Sequence, residues 1–536
     1  MLDRLLKNGY FPAELPVPFT STSYGDALLN VANQNTPPFS YGNKGPKYTS
    51  TCAKYNLARR GKLRRPLAVP NPINYFHIAQ LIANNWPDFE LVYDRSNQSL
   101  SKPVVDSSTR ALKWDKGFAA LPDEKLKTRT ASKYLLKADI ANFYSTIYTH
   151  SIPWAIHSKA VAKQNRYFQN NLGNKIDLLI RNGQDQQTKG IPIGTDTSYA
   201  IAELIMSEID KKLVSKIGVN YHRYIDDFEF GCKTLQEAEE VLSVLQEVLS
   251  SYELELNSSK TEITKLPEEI DPQWLHELQK YKINMSTDAA QKRSLLSFFD
   301  MTMNFLEKEP SEPILKYAVI RTSSHIVRAS NYPLFQRILL QWATAEPSTL
   351  PIVIDFIAFY KSAGVNVDLD EVKRTLQFII IENCRQGHTS EVCWSIFGMI
   401  LLSQSIDDDA LSELKKVENP FVALLTLDAK NRGLISASYS FPLWESLMNK
   451  NELTTENWIL AYEALRKGWL PSVDGSDYLI DAEGFSTLAD NDVEFYSTDL
   501  IDQHDPKANY QYFKRLSAEE LRYFVHRDVP LRRVPF

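Results

Sequence analysis

Two aspartates stand side by side in HRYIDDFEF, residues 222–230, between aromatic and branched apolar side chains. Adjacent carboxylates repel one another, and a strand interior is a poor place for either, so Asp226 and Asp227 call for a compensating cation. A tight hairpin projects neighbouring carboxylates to the end of a sheet, where oxygen ligands suit a hard divalent ion. A further acid, Asp139, ends the strand-like run in LLKADIANFYST, 87 residues before Asp226. Carboxylates on adjacent strands can hold two divalent ions about 4 Å apart, which stabilises both the attacking and the leaving oxygen of an in-line phosphoryl transfer. Taken singly, the pieces have plain structural readings: an acidic hairpin turn for Asp226 and Asp227, and a helix N-cap for Asp139.

Three more segments fit the same chemistry. GIPIGTDTSYA, residues 190–200, is a glycine-rich turn running into a helix. Gly190 and Gly194 let backbone approach a nucleotide or template closely, and Thr197 or Ser198 can cap the helix. NSSKTEI places Lys260 where it can reach a departing pyrophosphate, although a lone lysine in a turn is usually just solvated. RRPLAVPNP sets Arg64 and Arg65 ahead of a proline-containing turn, where a triphosphate can be gripped.

These residues need elements to position them. KYLLKADI reads as a strand and DTSYAIAELIMSEIDKKL as an amphipathic helix, while YHRYI and FEFGC read as a hairpin. LQEAEEVLSVLQEVLSSY is a second helix, and LELNSSKTEI carries another strand. The order β-α-β-β-α-β is that of a ferredoxin-like unit, a small antiparallel sheet backed by two helices. TKLPEEIDPQW reads as a linker. Residues before about 130 read as loop-rich, with VPNPINYF among the breakers. Beyond about 285, helical periodicity recurs at short intervals without a clean repeat consensus, as in a stacked helical array. The chain thus divides into an N-terminal region 1–130, a central unit 131–270, a helical array 285–470 and an irregular tail 471–536 that packs on the array.

A chain of 536 residues is too long for one core, and 43% hydrophobic with 24% charged residues is ordinary for a globular protein. The sequence has no apolar run long enough to span a bilayer, and MLDRLLKNGYFPAELPVPF meets an acid and prolines before a secretory core can form. Four cysteines in this length do not suggest a disulfide framework, which fits a reducing cytoplasm. Cys384, His388 and Cys393 lack a nearby fourth ligand for zinc. The net charge of −6 argues mildly against a protein coated in nucleic acid. Its distribution is uneven. Lys44 to Pro70 is basic without an acid, whether as a phosphate-facing segment or a solvated loop, and the acids between Asp474 and Asp499 read as surface.

In this order the motifs resemble those of the reverse-transcriptase family of right-hand polymerases, over roughly residues 55–265. ADIANFY looks like the first catalytic motif, GIPIGTDTS like the template and nucleotide motif, YIDD like the second catalytic motif, and NSSKT like the lysine-bearing motif after it. The resemblance implies an α+β fold, with right-hand fingers and a ferredoxin-like palm followed here by an α-helical, HEAT-like C-terminal part. It implies Mg²⁺, with Mn²⁺ as the alternative, held by Asp139, Asp226 and Asp227. Lys260 becomes the general acid for pyrophosphate, and Arg64 or Arg65 the triphosphate contact. Tyr144 occupies the position whose ring crowds a ribose 2′-hydroxyl, which implies deoxynucleotides. Lys189 stands where many relatives have Gln, a departure that puts ordinary template handling in doubt.

A reverse-transcriptase-like half followed by a long helical half is similar to the bacterial abortive-infection polymerases, among the defence-associated reverse transcriptases. That likeness implies antiphage defence, homo-oligomers, and DNA synthesis from dNTPs that is untemplated and primed by a protein hydroxyl, leaving the DNA covalently attached. Tyr10, Tyr24, Tyr41, Tyr48, Tyr496, Tyr510 and Tyr512 lie in the less regular regions, and composition does not choose among the 26 tyrosines. The rival readings are a templated enzyme copying a partner RNA, and an idle polymerase fold serving as a binding scaffold.

Overall fold

The computed structural model describes residues 1–33, 38–39, 45–59, 63–116, 120–164, 171–218, 220–516 and 521. Among these residues the strands are β1 (Ala53–Ala58), β2 (Arg64–Val69), β3 (Pro103–Val105), β4 (Leu112–Trp114), β5 (Tyr134–Asp139), β6 (Tyr221–Tyr224), β7 (Asp227–Cys232) and β8 (Glu262–Lys265). The first four form two hairpins, and the last four form one sheet in the order β6-β7-β5-β8. All three pairings in that sheet are antiparallel. With helices Asp196–Ile217 and Leu235–Ser250 between the strands, this is the expected ferredoxin-like arrangement.

Leu135, Leu136, Phe228 and Phe230 from the two central strands are buried. Each such side chain contributes about 1.5–3 kcal/mol when withdrawn from water. Helix Leu235–Ser250 packs on β5 and β7, and Asp196–Ile217 packs on that helix. The 196–217 helix, read from its sequence as amphipathic, is covered on more than one face. It is buried from Thr197 to Leu213 on nearly every side, because helices Trp86–Tyr93 and Ser151–His157 cover it as well.

The N-terminal region is more regular than a loop-rich reading allows, with helices Leu2–Asn8, Thr22–Asn33, Pro72–Asn84 and Trp86–Tyr93. The misleading signal is proline. In VPNPINYF the Asn71 side chain accepts the Ile73 N–H and Pro72 occupies the first helical turn, so the apparent breaker starts a helix. Arg64 and Arg65 likewise lie within β2 rather than ahead of a turn. Lys44, Arg60 and Lys62 of the basic stretch fall outside the described residues, as does Tyr41.

The segment read as a linker is tied down. Lys137 of β5 donates to Glu268 at 2.5 Å, and Arg129 donates to the Glu269 carbonyl at 3.0 Å. From Gln273 to Arg466 the regular structure is helical. The tail contains helices Phe485–Asp490, Asp499–Asp502 and Pro506–Arg515. It packs on more than the helical part: Phe495 stacks on Phe11 and meets Tyr10 edge-on, while Tyr496 pairs with Phe19. The acids from Asp474 to Asp499 are exposed except Glu494, which is half-buried.

Candidate active site

β5 and β7 are paired so that Asp139 faces Asp227, and the Ile140 N–H donates to the Asp226 carbonyl at 3.3 Å. The sheet register therefore brings the three acids to one end. Asp139 is buried, Asp226 half-buried, and Asp227 exposed at the rim. Lys260 Nζ donates to Asp139 Oδ2 at 2.7 Å and Asn257 Nδ2 to Asp139 Oδ1 at 3.1 Å. Burial and the charge of Asp139 push the Asp226 carboxyl up to about 6, with Lys260 and Arg65 opposing. Asp227 is raised too, by desolvation and by Asp226 and Asp139. Such crowding is relieved by a divalent cation or by protons.

The donors are all carboxylate oxygens, which suits a hard ion such as Mg²⁺. Among the described residues no three His, Cys, Asp or Glu side chains are already gathered in ligand geometry. Asp139 is instead held by Lys260, and shared coordination needs that contact to loosen.

The turn that presents Asp226 is strained. Tyr224 pairs with Asp227, leaving Ile225 and Asp226 as the connection, and Ile225 has φ +57°. A β-branched residue rarely adopts that region, and it persists only where surroundings enforce it. Here the Ile225 N–H donates to Ser101 Oγ and its carbonyl accepts from Arg223 Nη1, both at 2.8 Å. The Arg223 side chain is fully buried, and its guanidinium also binds Asp210 Oδ2 at 2.7 Å and Glu203 Oε1 at 2.8 Å. Sequence reasoning missed this network. Its trace was an arginine inside a buried strand, with two acids seven apart on one helix face.

Tyr144 is half-buried in the short helix Phe143–Thr146, and its carbonyl accepts the Ile191 N–H at 2.9 Å. Gly190, at φ +87°, would set a Cβ 3.1 Å from the Ser145 carbonyl oxygen, and Gly194 would place one 2.6 Å from Pro12. The close approach these glycines make is to the protein's own chain, which seats the 190–194 loop beside Tyr144. The helix that follows is capped by Thr195, whose side chain accepts the Ser198 N–H, rather than by Thr197 or Ser198.

The two arginines part company. Strand alternation sends them to opposite faces of β2. Arg64 forms a bidentate pair with Glu391, with Nη2–Oε2 at 2.8 Å, and also binds Asn56. Arg65 lies near enough to Asp226 to favour its ionised form. Arg64 is thus committed to Glu391, on the face of β2 opposite Arg65.

Residues 65–306 match the sequence model of a family described as reverse transcriptase (RNA-dependent DNA polymerase). The chain carries a reverse-transcriptase domain. It is a reverse transcriptase-like nucleotidyltransferase, and the matched span contains Asp139, Asp226, Asp227 and Lys260. Among solved structures, that of apo telomerase from Candida tropicalis is similar to 68% of this chain over 70% of its own, at 12% identity and a TM-score of 0.31. No helix among the described residues is long and apolar enough to cross a membrane.

The tyrosines of the less regular regions differ in access. Tyr10, Tyr24, Tyr496 and Tyr510 are buried, whereas Tyr48 is half-buried and Tyr512 is 37% exposed. Tyr24 donates to the Pro72 carbonyl and Tyr496 to Asp428, each at 2.7 Å.

Proposed function

We propose that this chain is a Mg²⁺-dependent DNA polymerase that adds deoxynucleotides without a template to a protein hydroxyl, in the cytoplasm, as part of bacterial antiphage defence. The observation that carries the polymerase reading is the meeting of Asp139, Asp226 and Asp227 at one end of the sheet, with Lys260 on Asp139. Asp139 and Asp226 would hold the metal, with Asp227 beside them. Bound there, Mg²⁺ neutralises charge on the phosphates and on the attacking and leaving oxygens. Arg65 grips the triphosphate, Tyr144 excludes the ribose 2′-hydroxyl, and Lys260 supplies a proton to the departing pyrophosphate.

Two features support the untemplated, defence-associated reading: Lys189 in the motif before Gly190, and a long helical half behind the polymerase. Self-association and a HEAT-like architecture of that half belong to the same proposal. Protein priming requires an accessible hydroxyl, so buried Tyr10, Tyr24, Tyr496 and Tyr510 would have to leave their packing to serve. The second reading, an RNA-directed enzyme copying a partner RNA, is favoured by the matched family's description. An idle scaffold has no use for an acidic cluster of this kind.

A denaturing gel of purified protein incubated with Mg²⁺ and labelled dNTPs, without template or primer, tests the proposal. Label that stays on the protein, grows with time and is absent in Asp226→Ala is the expected result. Activity only after an RNA template and primer are supplied would establish the second reading instead.

A further inference from the structure

Among the described residues the β1–β2 hairpin has no third strand. An unpaired edge leaves backbone donors and acceptors that must find partners. On β1 those partners come from more than 300 residues away. The Asn56 N–H donates to Thr389 Oγ1 at 2.6 Å, and the Ala58 N–H to Ser390 Oγ at 2.8 Å. Asn419 Nδ2 donates to the Lys54 carbonyl at 2.9 Å while its Oδ1 accepts the Phe421 N–H at 3.1 Å, so one side chain caps its own helix and closes the strand edge. Three alternate positions of β1 are thus satisfied by the first turns or caps of helices Thr389–Leu401 and Pro420–Asn431.

The other face of this junction is ionic. Glu391, 2% exposed, takes Arg64 through both terminal guanidinium nitrogens and also accepts from Ser390 Oγ at 2.6 Å. Bidentate Arg–carboxylate pairing fixes orientation as well as distance. Across the hairpin, the Ala68 N–H on the free edge of β2 donates to the Ile193 carbonyl at 3.0 Å. A continuous hydrogen-bonded path therefore runs from the helical half through β1 and β2 to the loop that lies beside Tyr144. Arg65, on the opposite face from Arg64, is carried on that path.

We propose that Glu391 is a positioning residue for nucleotide binding: by drawing Arg64 into a buried pair while Thr389 and Ser390 hold the edge of β1, it fixes the hairpin and hence the place of Arg65 and of the Ile193 loop that β2 holds. The inference rests on the polymerase reading given above. It makes the helical half a working part of the nucleotide site, and any ligand or partner that shifts residues 387–391 changes nucleotide affinity.

The test is single-nucleotide incorporation by the full chain, with KM for the dNTP and kcat measured separately. Glu391→Gln raises KM about tenfold and leaves kcat within about twofold, the signature of lost ground-state and transition-state binding together. Adding Arg65→Ala to Glu391→Gln costs little more than Arg65→Ala alone, because both act on one contact. Thr389→Val, a nearly isosteric loss of one acceptor, raises KM about threefold in the same direction and decides the matter if Glu391→Gln fails to fold. The exchange of Arg64→Glu with Glu391→Arg restores part of the lost affinity. An unchanged KM in folded Glu391→Gln, or in Thr389→Val, overturns the proposal. If the wild-type chain incorporates nothing, the polymerase reading fails, and equilibrium binding of labelled Mg²⁺–dATP then judges the positioning role. Weaker binding by Glu391→Gln upholds it; equal binding, or none by wild type, overturns it.

Discussion

Asp139 and Asp227 face each other across β5 and β7, and Lys260 reaches the same Asp139 from the turn before β8. Lys260 and Arg65 together still fall short of three carboxylates, which leaves the sheet end short of positive charge. Substituting Asp139 or Asp226 by Ala is expected to lower incorporation by about 10⁴-fold each, with the double variant little worse, because both residues serve one site. Removing Asp226 also relieves like-charge crowding, so urea melts without divalent metal should show that variant as stable as wild type or more so, by roughly 1 kcal/mol. Two modest losses that multiply in the double variant would contradict a shared site.

Tyr144 sits beside the Gly190–Ile191 segment with its backbone bonded to Ile191. Replacing it by Ala leaves that backbone bond in place and opens space at the ring. Discrimination against ribonucleotides, measured as the ratio of kcat/KM for dATP to that for ATP, should fall about tenfold or more. An unchanged ratio removes Tyr144 from the gate.

Arg223 is buried against Glu203, Asp210 and the Ile225 carbonyl. Arg223→Met strands two buried acids and should cost about 3–5 kcal/mol in chemical denaturation. In any folded fraction the strained Ile225 turn loses one of its two backbone anchors, and incorporation should fall more than dNTP affinity. Equal stability to wild type would show that the network does not bear on the fold.

Glu463 lies buried where the tail meets the N-terminal aromatics, accepting the Phe495 N–H with one oxygen, and burial lifts its carboxyl to about 7. Lys467 and Arg466 oppose that rise, and Glu494 adds to it. An acid whose folded value is raised binds more protons in the native state than when unfolded. Its stabilisation is complete below the ordinary carboxylate range and is lost as pH rises through about 7. Glu463→Gln should therefore gain stability over wild type at pH about 8, by roughly 1–2 kcal/mol, while matching it near pH 5. Urea titrations at the two pH values read the difference directly.

Local pattern carried much of the central unit. Period-2 runs placed β5, β6 and β7, and their order with two helices specified a sheet whose end collects Asp139, Asp226 and Asp227. These features follow from side-chain alternation and turn chemistry, which act over a few residues. Proline misled in the N-terminal region, because the same residue that stops one helix starts another when an Asn cap precedes it.

Only tertiary packing decided between Arg64 and Arg65. They are neighbours with the same chemistry, and one is drawn to Glu391, 327 residues away, while the other is left on the opposite face of β2. Packing likewise set the left-handed Ile225 and the burial of Arg223, since both depend on Glu203, Asp210 and Ser101 arriving from other elements. The sequence by itself determined which carboxylates can meet, because strand period and hairpin geometry are local. Which cations accompany them was left to the tertiary structure, because a buried charge takes whichever partner the assembled core brings within reach.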